Sequence, residues 1–307
     1  MELVRLIVMC GLSGSGKSTV AKELAAKYNA TIFSSDALRE ELFGDVNEQK
    51  HNQELFAELH RRIKECLRNG KSAIYDACNL NYKKRMGFLA ELGKIPCTKI
   101  CVLVATPYEE CLRRNAARDR KVPEYVIERQ YRQFDVPCQY YEGWGRVDVV
   151  FPEGLERLRA IDFLDSVNNF SQDNPHHTLT LGGHCNATWE YLWEKYGELN
   201  RRSAVLMRAG ALHDCGKCFT KTFMNSKGEP TDVAHYYNHE HTGSYDSLFY
   251  GPEEQALDVA VLIRWHMMPY VWEKDNNERL HSKYRRLWGE WLYEEISKLH
   301  EADKVAH

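Results

Sequence analysis

One stretch of this chain has the residue types and spacing to hold a polyphosphate: Gly11-Leu12-Ser13-Gly14-Ser15-Gly16-Lys17-Ser18-Thr19. This is the Walker A pattern. Its glycines let backbone N–H groups turn toward phosphate oxygens, Lys17 reaches the β- and γ-phosphates, and the Ser18 hydroxyl ligates magnesium. ATP and Mg are therefore the expected occupants. A second constellation lies far downstream. Eleven of the thirteen histidines fall after residue 150. Among them are His184, His213 beside Asp214, His235, His239 beside Glu240, and His266, with Asp303 close to the end. Imidazoles and carboxylates together suit Mn, Fe, Co, Ni or Zn and leave positions open for water and substrate.

Three further groups surround the first motif in sequence. Asp36 and Arg39 follow a short apolar run, and the carboxyl end of a strand in an open α/β sheet faces the substrate crevice. Asp36 there is placed to accept a proton from an attacking hydroxyl, and Arg39, three residues on, to hold an anion on the acceptor. The same aspartate also fits a helix N-cap. Asp76 and Asn79 end the next apolar run, where they would hold the magnesium water shell or orient the acceptor, or simply form a turn. Arg114 and Arg118, one turn apart, share a face of a basic helix that would close over the triphosphate as a lid; a solvated basic helix is the alternative.

The elements that must carry these residues change character near residue 150. Before it, β-rich runs at residues 3–10, 31–34, 72–75, 98–105 and 146–150 alternate with helical patterns, which indicates a parallel sheet with crossover connections. Residues 100–105 are apolar without alternation, as in a strand covered on both faces. After it the pattern is helical, at residues 154–168, 185–196, 203–212, 253–265 and 284–299, with no convincing strand. The expected division is 1–150 and 151–307, without a flexible linker.

Composition agrees with a chain folded throughout. It is 43% hydrophobic and 28% charged, and a net charge of −3 excludes a uniformly basic nucleic-acid coat while leaving room for a local cationic groove. No run is apolar for long enough to span a membrane, and ten cysteines without regular spacing point to reduced thiols, so a cytoplasmic location is expected. Cys215 and Cys218 form a Cys-x-x-Cys pair without a second pair to complete a zinc site.

The Walker A loop, Asp36 with Arg39, the turn from Asp76 to Asn81 and the arginine-rich segment ending at Val122-Pro123 resemble the 5′-hydroxyl polynucleotide kinases of the P-loop superfamily. That resemblance implies Asp36 as general base and Arg39 on the 3′-phosphate of the acceptor. It also implies Arg118 and Arg114 on the ATP phosphates. The second half looks like the HD superfamily of metal phosphohydrolases, an all-helical fold. By motif position this implies His184, His213, Asp214 and Asp303 around one metal, with Asp214 bridging to a second held by His239 and His266 in binuclear members. Lys217 would pair with a phosphate. His176 and His177 compete with His184 or would contact substrate, and His241 competes with His239.

The fold expected is thus an α/β P-loop kinase domain with a parallel sheet, followed by an all-α HD domain. The expected activity is 5′-hydroxyl phosphorylation of RNA or DNA ends coupled to removal of 2′,3′-cyclic or terminal phosphates, with ATP and nucleic acid as partners. A nucleoside or small-molecule kinase fused to an HD nucleotidase, and an ATP-sensing regulator of an HD hydrolase, are the alternatives.

Overall fold

The computed structural model describes residues 3–175, 178–274 and 276–306. The chain divides into two compact units, Met1–Gln130 with Pro137–Glu153, and Tyr131–Val136 with Gly154–His307.

In the first unit five strands, β1 (Arg5–Cys10), β2 (Thr31–Ser34), β3 (Ala73–Asp76), β4 (Thr98–Val104) and β5 (Arg146–Val150), form one sheet in the order β2-β3-β1-β4-β5. Every pairing is parallel, with Ile7 opposite both Ile74 and Ile100. Helices α1 (Lys17–Tyr28), α2 (Ser35–Phe43), α3 (Asn52–Arg68), α4 (Tyr82–Glu91), α5 (Tyr108–Ala116) and α6 (Glu124–Arg132) make the connections. Parallel strands need such crossovers, and covering both faces is what makes Ile100, Val102 and Val104 pack with Ile7, Met9, Ile74 and Ala21 in one apolar cluster. Helix starts follow side-chain caps: Ser34 Oγ accepts from Ala37 N–H, and Asn81 accepts from Lys84 N–H.

The second unit is built from α7 (Ala160–Ser166), α8 (Leu181–Tyr196), α9 (Arg201–Leu212), α10 (Lys217–Thr220), α11 (His239–Asp246), α12 (Glu253–Trp265), α13 (Met268–Lys274) and α14 (Glu278–Val305). Gly289, at φ 73° and ψ 172°, breaks α14 within its length. Two corrections apply here. A two-stranded antiparallel hairpin, β6 (Thr222–Met224) and β7 (Pro230–His235), stands where no strand was expected. Its strands are short and only Ala234 is buried, so they lack an apolar face to announce them, and Gly228 at φ 79° makes the turn. The first helical stretch also shrinks from residues 154–168 to Ala160–Ser166; Gly154 at φ 71° keeps the preceding segment non-helical.

Candidate functional site

The first site sits at the carboxyl ends of β1, β2 and β3. Gly14 takes φ 92°, and a Cβ there would lie 2.3 Å from the Cys111 carbonyl oxygen, so only glycine lets the loop pass. Gly16, at φ 97°, turns the chain into α1. Lys17 is buried and donates from Nζ to the Leu12 carbonyl at 2.7 Å. Ser18 Oγ donates to Asp76 Oδ2 at 2.8 Å. A hydroxyl and a carboxylate in contact at a strand's end are what a P-loop magnesium site requires, so the donors present fit that ion. Thr106 Oγ1 donates to the Ser15 carbonyl at 2.9 Å, and Arg114 Nη1 reaches the same oxygen at 3.4 Å. Gln130, which no motif signalled, accepts from Ser13 N–H at 2.9 Å and donates to Ser13 Oγ at 3.1 Å.

The acceptor side departs from expectation in three places. Asp36 is not the N-cap, since Ser34 is; it lies in the first turn of α2, 59% exposed, where Arg120 Nη1 donates to its Oδ2 at 2.8 Å. Arg39 is only 5% exposed and is engaged by Glu48 O and Asn52 Oδ1, both at 2.8 Å. It pins the segment between α2 and α3, and burial draws its pKa down despite Asp36 nearby. Asn79 sits at φ 48° and spends its amide on the Met9 carbonyl at 2.9 Å, so it staples the turn instead of facing an acceptor. Beneath that turn Arg85 and Glu142 form a bidentate pair at 2.7 Å, 1% and 0% exposed, and Arg85 Nη1 holds the Asn79 carbonyl at 2.8 Å.

The lid also differs. Helix α5 ends at Ala116, so Arg114 and Arg118 do not share a helical face. Asn115 exchanges two hydrogen bonds with the Val122 backbone, at 2.8 and 2.9 Å, and closes residues 116–121 into an exposed loop carrying Arg118 and Arg120. That clamp, closing a loop of six residues, wins over the helical spacing of the arginines.

The second site gathers all six expected ligands. His184 comes from α8 and His213 and Asp214 follow α9. His239 opens α11, His266 ends α12 and Asp303 lies near the end of α14; each is at most 6% exposed. Their atoms form two triads, His184–His213–Asp303 and Asp214–His239–His266. Asp214 serves both: Oδ2 is 3.4 Å from His184 Nε2 and 3.5 Å from His213 Nε2, and Oδ1 is 3.2 Å from His239 Nε2. All four Nδ1 atoms face backbone carbonyls, those of Ala306, Gly210, Tyr236 and Ile263, at 2.6 to 3.1 Å. These contacts put the proton on Nδ1 and leave the Nε2 lone pairs pointing inward. His184 and His213 then oppose lone pairs at 3.1 Å, and His239 and His266 at 3.3 Å, an arrangement that calls for cations between them. The donors fit a pair of divalent metals.

Around the cluster stand Lys217, in a place other than expected, and two groups the sequence left unannounced, Gln172 and Tyr270. Lys217, expected on a phosphate, is buried with Nζ 2.6 Å from Asp214 Oδ2 and 2.8 Å from Gln172 Oε1. Burial works against the Asp214 carboxylate, but Lys217 and the imidazoles hold it well below the usual range. Tyr270 donates to Asp303 Oδ2 at 3.1 Å. His241 is spent on the Phe134 carbonyl at 2.8 Å and takes no part in the cluster, and His176 and His177 lie outside the described residues. Cys215 and Cys218 are free thiols, Cys215 buried and Cys218 exposed.

Comparisons with known proteins fall along the same division. Residues 6–137 match a family model described as an AAA domain, and residues 181–307 one described as an HD domain. The chain therefore carries an α/β parallel-sheet unit of P-loop kinase type followed by a mostly helical HD domain. The L-seryl-tRNA(Sec) kinase of Methanococcus maripaludis is 26% identical over 181 residues, covering 57% of this chain and 68% of that protein. The UPF0200 protein of Sulfurisphaera tokodaii is 27% identical over 149 residues, 44% of this chain and 81% of that protein. Among solved structures, a chain of the Pnkp1/Rnl/Hen1 RNA repair complex is 21% identical with a TM-score of 0.39, covering 43% of this chain and 44% of that one. A gluconokinase from Sinorhizobium meliloti is 18% identical with a TM-score of 0.37, over 49% and 84%. A kinase-type P-loop implies ATP and magnesium, and an HD domain implies a divalent metal. Among the described residues no helix is long and apolar enough to cross a membrane.

Proposed function

We propose that the chain is a bifunctional end-processing enzyme. The first unit phosphorylates a 5′-hydroxyl at an RNA or DNA end, and the HD unit removes 2′,3′-cyclic or terminal phosphate. The observation that carries the reading is Asp36: an open carboxylate two residues past the crevice end of β2, on the sheet edge that also presents Ser18 and Asp76. The acceptor oxygen bonds to the γ-phosphorus as the bond to the bridging oxygen breaks, ADP departs, and the hydroxyl proton passes to Asp36. Arg120 must release that carboxylate first, and an exposed pair of this kind is weakly held.

The HD chemistry follows from the two triads. Divalent ions bound there supply Lewis acidity and an activated water. The chain's own part is to orient the imidazoles through their Nδ1 contacts and to fix Asp214 with Lys217. A relative named for a tRNA-borne acceptor lends support to a hydroxyl carried on RNA. Cleavage that leaves 2′,3′-cyclic phosphate and 5′-hydroxyl ends gives both units work on the same break.

The buried Arg39 favours a second reading, in which the acceptor has no 3′-phosphate and is a nucleoside or small hydroxyl compound. Transfer of labelled γ-phosphate from ATP to a 5′-hydroxyl oligoribonucleotide, a nucleoside 3′-phosphate and the bare nucleoside separates them. The expected result is transfer to the oligonucleotide, lost in Lys17→Ala and reduced about 10²–10⁴-fold in Asp36→Asn. Transfer to the nucleoside alone selects the second reading. ATP binding with no transfer to any acceptor overturns both.

A further inference from the structure

We propose that the second unit holds a binding site for a nucleotide unit, a base together with its phosphate, in a cleft of about 620 Å³ formed by α8, α9 and the start of α12. That volume lies within the usual range of small-molecule sites. The cleft is separate from the histidine cluster: Trp193 is nine residues beyond His184 on α8, about 13 Å along the helix.

Two features point to the ligand. Trp189 and Trp193, one turn apart, hold their indoles parallel to within 11° with centroids 6.4 Å apart. Trp193 is 48% exposed and Leu199 beside it is fully exposed. Gly197 lies flush against the Trp193 ring, where a Cβ would stand 3.0 Å from Cε3, so the ring is held and not loosely splayed. An exposed, fixed indole face is a surface on which any nucleobase stacks.

Arg208 supplies the second feature. It is half-buried in the cleft wall, donates from Nη1 to Gln255 Oε1, and forms no ion pair among the described residues. The other lining arginine differs: Arg201 is paired with Asp258 at 2.8 Å. Gly251, at φ 67°, leaves room for the guanidinium, since a Cβ would come within 2.3 Å of Nε. The lining carboxylate, Glu198, accepts from Asn200 Nδ2 at 2.6 Å. Glu254 acts on it only through space, against an opposing Arg157, and a partly desolvated guanidinium with no carboxylate in contact is an anion receptor whose fork a phosphate matches. A planar aromatic ring beside an anion describes a nucleotide, either free or within a single strand.

Binding to the full chain, in a Lys17→Ala background that disables the other nucleotide site, tests this by tryptophan fluorescence quenching. The probes are adenosine, AMP and a five-residue oligoadenylate. Trp193→Ala should weaken AMP or oligoadenylate binding at least about fivefold, and Trp193→Phe should largely restore it. Arg208→Gln should weaken both phosphorylated probes and leave adenosine unchanged, with Arg208→Lys intermediate. Binding of AMP identifies a free-nucleotide site, and binding of oligoadenylate alone identifies a strand. Wild-type affinity in Trp193→Ala, or equal loss of adenosine and AMP in Arg208→Gln, overturns the proposal, as does no binding of any probe. Should Arg208→Gln fail to fold, the half-exposed Trp193 still decides the matter.

Discussion

Asp76 ends β3 and Ser18 lies in the first turn of α1, 58 positions apart, yet the hydroxyl donates directly to the carboxylate at 2.8 Å. A contact this short fixes where both oxygens point, and a magnesium ion entering there finds its ligand and its ligand's partner already oriented. Asp76 is buried while Asp36 is open, and in the proposed reaction the first supports the ion and the second faces the acceptor. Asp76→Asn keeps the shape and removes the charge. The magnesium concentration needed for half-maximal phosphoryl transfer should rise about 10–100-fold, with ATP-free stability little changed. A magnesium titration of transfer activity reads this directly, and an unchanged titration curve would remove Asp76 from the ion's surroundings.

At the scale of elements, the turn after β3 depends on a pair the motifs do not mention. Arg85 on α4 and Glu142 in the segment before β5 meet bidentately out of contact with water, and Glu142 also accepts from Cys138 N–H at 3.1 Å and Trp144 Nε1 at 3.0 Å. Their joint product is the Asn79 carbonyl held in place, and with it the left-handed residue that ends the acceptor edge. Removing one partner leaves a charge buried without compensation. Glu142→Ala should therefore cost about 3–5 kcal/mol in denaturant unfolding, whereas replacing both residues with apolar ones of similar volume should recover most of the loss. The strand-loop-helix around Lys17 was legible because glycine spacing and an apolar run speak locally. The histidines were legible by type as groups that could hold a metal, while the choice of ligands among them rested on the resemblance to the HD superfamily. The surroundings of Arg39, Asn79 and Arg118 are set by Glu48, by Met9, and by where α5 stops and Asn115 clamps Val122, which sequence spacing does not encode. Strand order was also beyond reach: crossover connections announce a parallel sheet, but not that β1 lies between β3 and β4.

For the molecule as a whole, the segment Tyr131–Val136 leaves the first unit's part of the sequence and is counted with the second, where it brings a titrating contact. Tyr131 donates to Asp246 Oδ2 at 2.6 Å. Burial pushes the Asp246 carboxyl up to about 7 from an ordinary 3.8, even though the tyrosine hydroxyl draws it the other way. Between those values the folded chain keeps a proton that the unfolded chain has lost. Stability therefore falls as pH rises through that window, and above about 7 the full cost of the buried charge is present. Asp246→Asn retains an oxygen for Tyr131 and removes the charge. Its melting temperature should exceed that of the native chain at pH 8 by several degrees, at about 2–4 °C per kcal/mol for a unit of this size. The gap should close as the pH is lowered below the ordinary 3.8, where the native side chain is neutral in both states. A difference independent of pH would mean that packing, and not the ionisation of Asp246, governs the contact.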